Sequence, residues 1–212
     1  GVARFVFAST CSNYGRMADS TVPVDETADL RPISLYAEQK VAIERELFSG
    51  ADDGLARSCL RFATVYGVAD RMRFDLTVNQ FTRDLWARRP LEIYGELFWR
   101  PYVHVRDAAR AVTTVLGRAP GEVAGRVFNV GDSDENYRKR DLAELIVSRL
   151  GRGEVSYVQR EEDPRDYKVS FARIREELGY VPSHQVSDGI DEIVGALEER
   201  RFGDPFDPRY EN

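Results

Sequence analysis

Cysteine, histidine and methionine are scarce in this chain, with two of each among 212 residues. Cys11, Cys59, His104 and His184 do not form a zinc pattern or a disulfide framework, so no metal site is expected. Cys59, beside Leu60, reads as a small core residue. Long apolar runs are also lacking. Nothing approaches the roughly 20 residues of a membrane span, no charged-then-apolar leader is visible, and the expected compartment is the cytoplasm. An excess of base is missing too: 30 Lys and Arg stand against 36 Asp and Glu, a net charge of −6. Phosphate backbones demand a basic surface, so nonspecific nucleic-acid binding is disfavoured and an anionic ligand would be met by individual arginines. There is no internal repeat and no low-complexity segment.

What is present is a globular composition, 42% hydrophobic and 31% charged, long enough for a sizeable core. Apolar strand-like runs alternate with helical patterns, which indicates an α/β architecture. One stretch organises the rest. A strand, Arg4 to Ala8, ends in Ser9-Thr10-Cys11-Ser12-Asn13-Tyr14-Gly15, crosses a turn-rich acidic loop and enters a helix at Tyr36-Ala37-Glu38-Gln39-Lys40. Ser34 is placed to cap that helix, without the acid three residues on that a capping box needs. Tyr36 and Lys40, four apart, share one helix face. An ammonium about 4 Å from a phenol, at an effective dielectric of about 20, favours the phenolate by roughly 4 kcal/mol. Thr10, at a strand end, could hydrogen-bond the same substrate oxygen. The set Thr10, Tyr36 and Lys40 therefore suits proton transfer at an alcohol or carbonyl.

The Ser9-Thr10 strand end, Tyr14-Gly15, the Tyr36-x-x-x-Lys40 helix, the strand Leu60-Arg61-Phe62-Ala63-Thr64-Val65-Tyr66-Gly67 and the run Trp99-Arg100-Pro101-Tyr102-Val103-His104-Val105 come in a particular order. In that order the chain resembles the extended short-chain dehydrogenases/reductases, specifically the NAD-dependent nucleotide-sugar epimerases and dehydratases. Such proteins open with a glycine-rich turn that holds the cofactor pyrophosphate, and no Gly-x-Gly-x-x-Gly or Gly-x-x-Gly-x-x-Gly occurs here. The resemblance therefore implies the C-terminal part of a Rossmann-type parallel sheet with a small α+β substrate-binding lobe. Residues 1–67 and 100–132 would belong to the residual second half of the NAD-binding domain, and 68–99 and 133–212 to the lobe. It implies NAD as cofactor, with NADP left open, a nucleotide-sugar substrate and a homodimer built through the Tyr36 helix.

The resemblance also implies site roles. Thr10, Tyr36 and Lys40 would be catalytic, with Ser9, Tyr36, Lys40 and Phe62 against the cofactor. Cys11, Ser12, Thr64, Asn79, Tyr94, Arg100 and Arg165 would meet the substrate: Tyr94 against the base, and Thr64, Asn79 and Arg100 against the phosphates, where a guanidinium bonds oxygens in pairs. Arg165 stands in the arginine position of a Gly-Asp-x-Arg loop whose glycine is Glu162 here. His104 reads as structural. The 4,6-dehydratases carry Asp-Glu directly after the catalytic Thr, where this chain has Cys11 and Ser12. That favours a 4-epimerase-type oxidoreductase over a 4,6-dehydratase or 4-reductase. The alternative from a different class is a catalytically inactive fragment without the cofactor turn. The tail after Arg200, rich in proline and charge, is expected to lie on the surface or be partly disordered.

Overall fold

The structure is a computed structural model of the chain and describes residues 2–50, 54–158 and 165–211. Strand β1 (Arg4–Thr10) runs parallel to β2 (Ala56–Phe62), which runs parallel to β6 (Arg126–Val130), giving the order β1-β2-β6. β2, flanked by β1 and β6 and buried at five of its seven residues, has the burial of a central parallel strand, although it carries Arg57, Ser58 and Arg61. The register sets Ser9 beside Arg61 and Arg61 beside Asn129, and in the next row Thr10 beside Phe62 and Phe62 beside Val130. The second row ends the sheet on its carboxyl side, where open α/β sheets present ligand sites.

β1 continues through Thr10, beyond the Ala8 limit of the apolar run, because the 3-10 turn Cys11–Tyr14 is capped by the Thr10 side chain, which accepts from Ser12 N at 3.1 Å. Gly15 follows with φ +67, and a Cβ there would collide with the Arg31 carbonyl oxygen at 1.8 Å. Helix α1 (Leu35–Ser49) begins at the expected cap: Ser34 Oγ accepts from Ala37 N at 3.3 Å.

The strand expected over Leu60 to Gly67 breaks at Ala63. β2 stops at Phe62, and β3 (Thr64–Tyr66) pairs in parallel with β5 (Trp99–His104), which pairs antiparallel with β7 (Asn136–Arg138). A third pair joins β4 (Leu91–Tyr94) to β8 (Val155–Val158) in parallel. The helices are α2 (Thr77–Trp86), α3 (Val105–Leu116), the short α4 (Pro120–Val123), α5 (Lys139–Leu150), α6 (Ala172–Leu178) and α7 (Val186–Glu198). α3 starts at Val105, two residues before Asp107, because the His104 side chain accepts from Arg106 N and caps it.

Two apolar cores form. The first joins Tyr14, Leu60, Val103, Ala111 and Phe128 with Tyr167, Phe171 and Leu178. The second joins Tyr66, Phe74, Leu85, Ile93, Leu142 and Ile146 with Ile190 and Ile193. The segment 167–180, grouped with the lobe by sequence, packs into the first.

The tail does not lie loose. Phe202 is buried, and its ring meets Phe74 edge-on at 5.2 Å; Tyr210 meets the same ring at 5.7 Å. Phe74 N donates to Tyr210 O at 2.8 Å, and the Arg83 guanidinium lies over both Phe74 and Phe206. Aromatic residues dispersed among the prolines and charges supply the apolar area that docks it. No helix among the described residues is long and apolar enough to cross a membrane.

Candidate functional site

A cleft of about 660 Å³ opens at the carboxyl ends of β1 and β2. β1 delivers Ala8, Ser9 and Thr10, and Ser12 follows from the 3-10 turn. α1 contributes Tyr36 and Lys40; Phe62 to Val65, Arg73, Asp75, Arg100, Arg165 and Tyr167 also line it. Tyr36 is 53% exposed, which leaves its ring open to the cleft mouth. Lys40 Nζ donates to Ala8 O at 2.7 Å and lies 4.7 Å from the Phe7 ring centroid and 5.7 Å from that of Tyr36. The ammonium is thus tied to the strand that ends in Thr10.

Ser9 is buried and donates its hydroxyl to Glu44 Oε1. Ser12 Oγ accepts from Arg165 NH1 at 3.3 Å and from the Tyr167 hydroxyl at 3.4 Å. Arg100 is 4% exposed, donates to the carbonyl oxygens of Trp99 and Arg165, and sits over the Tyr167 ring at 5.5 Å. Burial holds the Tyr167 phenol above its ordinary range, so it is a neutral hydrogen-bonding group. Two arginines joined through the Ser12 hydroxyl and Tyr167 suit an anionic group.

Of the residues expected from sequence, Ser9, Thr10, Ser12, Tyr36, Lys40, Phe62, Thr64, Arg100 and Arg165 line this cleft. Cys11 does not. Its thiol is 1% exposed, donates to Arg61 O at 3.2 Å, and is pushed upward by burial, so the substrate-contact reading of Cys11 gives way to a packing one. The residue turns inward because Cys11 lies in the 3-10 turn, where neighbouring side chains diverge. Asn79 and Tyr94 also lie off the cleft lining. Asn79 is buried, accepts from Gly67 N at 3.0 Å and donates to Arg73 O at 2.9 Å. The Tyr94 hydroxyl donates to Glu92 at 3.2 Å. Glu162 lies outside the described residues.

Sequence reasoning passed over Arg73, Asp75 and Tyr167. Arg73 and Asp75 form a bidentate pair, 3.0 and 2.5 Å, flanking the fully buried Phe74. Opposite charges on either side of an aromatic, just before helix α2, were the available signal; Tyr167 lies two residues beyond Arg165. Among the cleft-lining residues Asp75 is the one carboxylate, and Arg73 holds it.

The chain belongs to the NAD dependent epimerase/dehydratase family, which residues 1–131 match. It is 31% identical over 206 residues to a dTDP-glucose 4,6-dehydratase of Streptomyces griseus, covering 95% of this chain and 60% of that protein. It is also 31% identical over 214 residues to a UDP-glucose 4-epimerase of Azospirillum brasilense, covering 90% of this chain and 59% of that one. The chain therefore spans about 60% of the length of these relatives. Among solved structures, the UDP-glucose 4-epimerase of Thermotoga maritima with UDP-glucose superposes with a TM-score of 0.82 at 28% identity, over 95% of this chain and 65% of that one. MoeE5 in complex with UDP-glucuronic acid and NAD superposes with a TM-score of 0.81 at 27% identity, over 94% of this chain and 66% of that one.

Proposed function

We propose that this chain carries the catalytic residues of an NAD-dependent nucleotide-sugar oxidoreductase of the 4-epimerase type. The observation that carries the reading is that Thr10, Tyr36 and Lys40 line one cleft together with Arg100 and Arg165. The residues present fit the cofactor in part: Ser9, Tyr36, Lys40 and Phe62, all in the cleft lining, would meet a nicotinamide riboside, and no glycine-rich pyrophosphate turn occurs in these residues. Bound NAD would supply the acceptor for a hydride from the sugar C4.

The chain's own residues do the rest. Tyr36 takes the C4 hydroxyl proton as the C–H bond breaks and returns it when the carbonyl is reduced. Thr10 hydrogen-bonds the same oxygen in both states. Lys40, anchored to Ala8 O, keeps a positive charge beside the Tyr36 ring and stands where it could hold the cofactor ribose. Arg100 and Arg165 bind the diphosphate, and Ser12 and Thr64 line the path between. The apolar residues on the outer face of α1 fit a homodimer.

A 4,6-dehydratase is the second reading, favoured by the 31% identity to the Streptomyces griseus enzyme. Against it, elimination of water needs an acid and a base beside the sugar, and the two positions after Thr10 hold a buried thiol and a hydroxyl. Incubation with UDP-glucose or dTDP-glucose and NAD, followed by product analysis, separates the two: an epimer supports the first reading and a 4-keto-6-deoxy sugar the second. Tyr36→Phe is expected to lower turnover by roughly 10²–10⁴-fold while the Kd for UDP-glucose, measured calorimetrically, stays unchanged. Retained turnover in that variant would remove Tyr36 from the chemistry. Absence of saturable NADH fluorescence binding by a folded chain would leave a nucleotide-sugar-binding protein without catalysis.

A further inference from the structure

α1 meets the sheet through a narrow face. Of its fifteen residues only Ala37, Val41 and Glu44 are buried, while Leu35, Tyr36, Ile43 and Phe48 are exposed. One methyl and one isopropyl group supply little area, and apolar burial has no direction. It does not by itself fix how the helix is rotated or how far it has slid along the strands.

Glu44 has direction. Its carboxylate accepts from Arg61 Nε at 3.1 and 3.2 Å, from Arg61 NH2 at 2.6 Å, from Asn13 Nδ2 at 3.0 Å and from Ser9 Oγ. These donors come from β2, the 3-10 turn and β1. Arg61 continues the chain of bonds: NH1 donates to the Tyr14 hydroxyl at 3.1 Å, and that hydroxyl donates to Asn129 Oδ1 on β6 at 2.8 Å. Ser9, Arg61 and Asn129 form one row across the sheet, immediately below the row of Thr10, Phe62 and Val130 that reaches the cleft. On α1, Tyr36, Lys40 and Glu44 are spaced by four, so they share a face and span about 12 Å of rigid helix.

We propose that the buried Glu44–Arg61 pair is a positioning device that sets the rotation and axial register of α1, and thereby the place of Tyr36 and Lys40 over Thr10. The role of Tyr36 rests on the function proposed above; the control of α1 by the pair does not. Neither residue touches the cleft. A buried ion pair is a weak source of net stability, because apolar residues of similar volume often replace it without loss. Burial would draw the Arg61 guanidinium down, but its bonds to Glu44 and Tyr14 outweigh this and keep it charged. The fork of the guanidinium matches both carboxylate oxygens, which a lysine ammonium does not do.

The test compares Glu44→Gln, Arg61→Lys and the double variant Glu44→Met/Arg61→Met with the parent chain. Urea unfolding gives stability, and crystal structures give the place of α1, read from the Lys40 Nζ to Ala8 O bond. The expected result is that the single variants lose stability and the double variant recovers most of it, while α1 in the double variant and in Arg61→Lys moves enough to break the Lys40 bond. Turnover then falls at least tenfold with little change in KM. If the double variant or Arg61→Lys folds with α1 in place and that bond intact, the pair is structural only and the inference is overturned. Should the two introduced methionines fail to pack, Arg61→Lys alone decides. A Tyr36→Phe chain that still turns over would overturn the assigned function and leave the position of α1 as a separate result.

Discussion

At His104 an imidazole is kept 1% exposed, with Nε2 2.9 Å from Glu192 Oε2 and Nδ1 accepting from Arg106 N at 3.3 Å. A ring that accepts at Nδ1 carries its proton on Nε2 and is neutral. The His184 ring stacks on it at 4.3 Å, and Gly67 passes so close that a Cβ there would fall 2.4 Å from Nε2. Burial holds the His104 pKa below the ordinary histidine range, and Glu192 only partly offsets this. The unfolded chain therefore binds the proton more readily, and stability falls as pH drops below about 6.5. Burial would raise Asp107 and Glu192, but their hydrogen bonds outweigh it and lower both; what they contribute is lost only below about pH 4, outside that window. The buried carboxyls of Glu26 and Glu135, held above the usual range by burial, act in the opposite direction in both proteins, so the test is the difference: between pH 5 and 8 the urea midpoint of the parent is expected to fall more toward acid, or rise less, than that of His104→Gln, and equal slopes in both proteins would exclude His104. The structural reading of His104 from sequence rested on its place in an apolar strand, which is a feature of local pattern. The Glu192 partner, 88 positions away, leaves no such trace.

Elements with a strong local cause were the legible ones. α1 begins where Ser34 is placed to cap it, and β1 carries the strand expected from Arg4. What misled was decided by distant contacts. The stretch Leu60 to Gly67 reads as one strand, yet Ala63 N bonds Val130 O and the next three residues leave for a different partner, β5. The final segment looks like a surface tail because proline and charge dominate it, yet Phe202 and Tyr210 close around Phe74. That ring is flanked in sequence by Arg73 and Asp75, so the tail also braces a wall of the cleft. Phe202→Ala is expected to cost about 3–5 kcal/mol, the range for emptying a buried aromatic site, as read from chemical denaturation. A loss below about 0.5 kcal/mol would mean that the tail is held by other contacts.

For the molecule as a whole, one border of the main sheet is open. Among the described residues no strand pairs with the outer edge of β1, and Phe5 on that strand is exposed along with Leu35, Ile43 and Phe48 of α1. An unpaired strand beside apolar side chains is a template for association. The 212-residue chain is expected to self-associate in sedimentation velocity, increasingly with concentration, and Phe5→Lys combined with Phe48→Lys should shift it toward the monomer. A parent chain that sediments as a monomer throughout would show that this border is adequately covered by solvent. Asn79 has the opposite effect elsewhere. By holding Gly67 N with one end of its amide and Arg73 O with the other, it works as a clasp on a bracelet: the exposed beads Asp70 and Arg71 can change in kind without moving the arginine that the clasp presents, while Met72, buried in the second core, and Val68, whose N donates to Glu192 Oε2 at 3.0 Å, stay fixed. An insertion between Asp70 and Arg71 is cheap at that point, since lengthening a loop whose ends are already fastened adds little entropy cost.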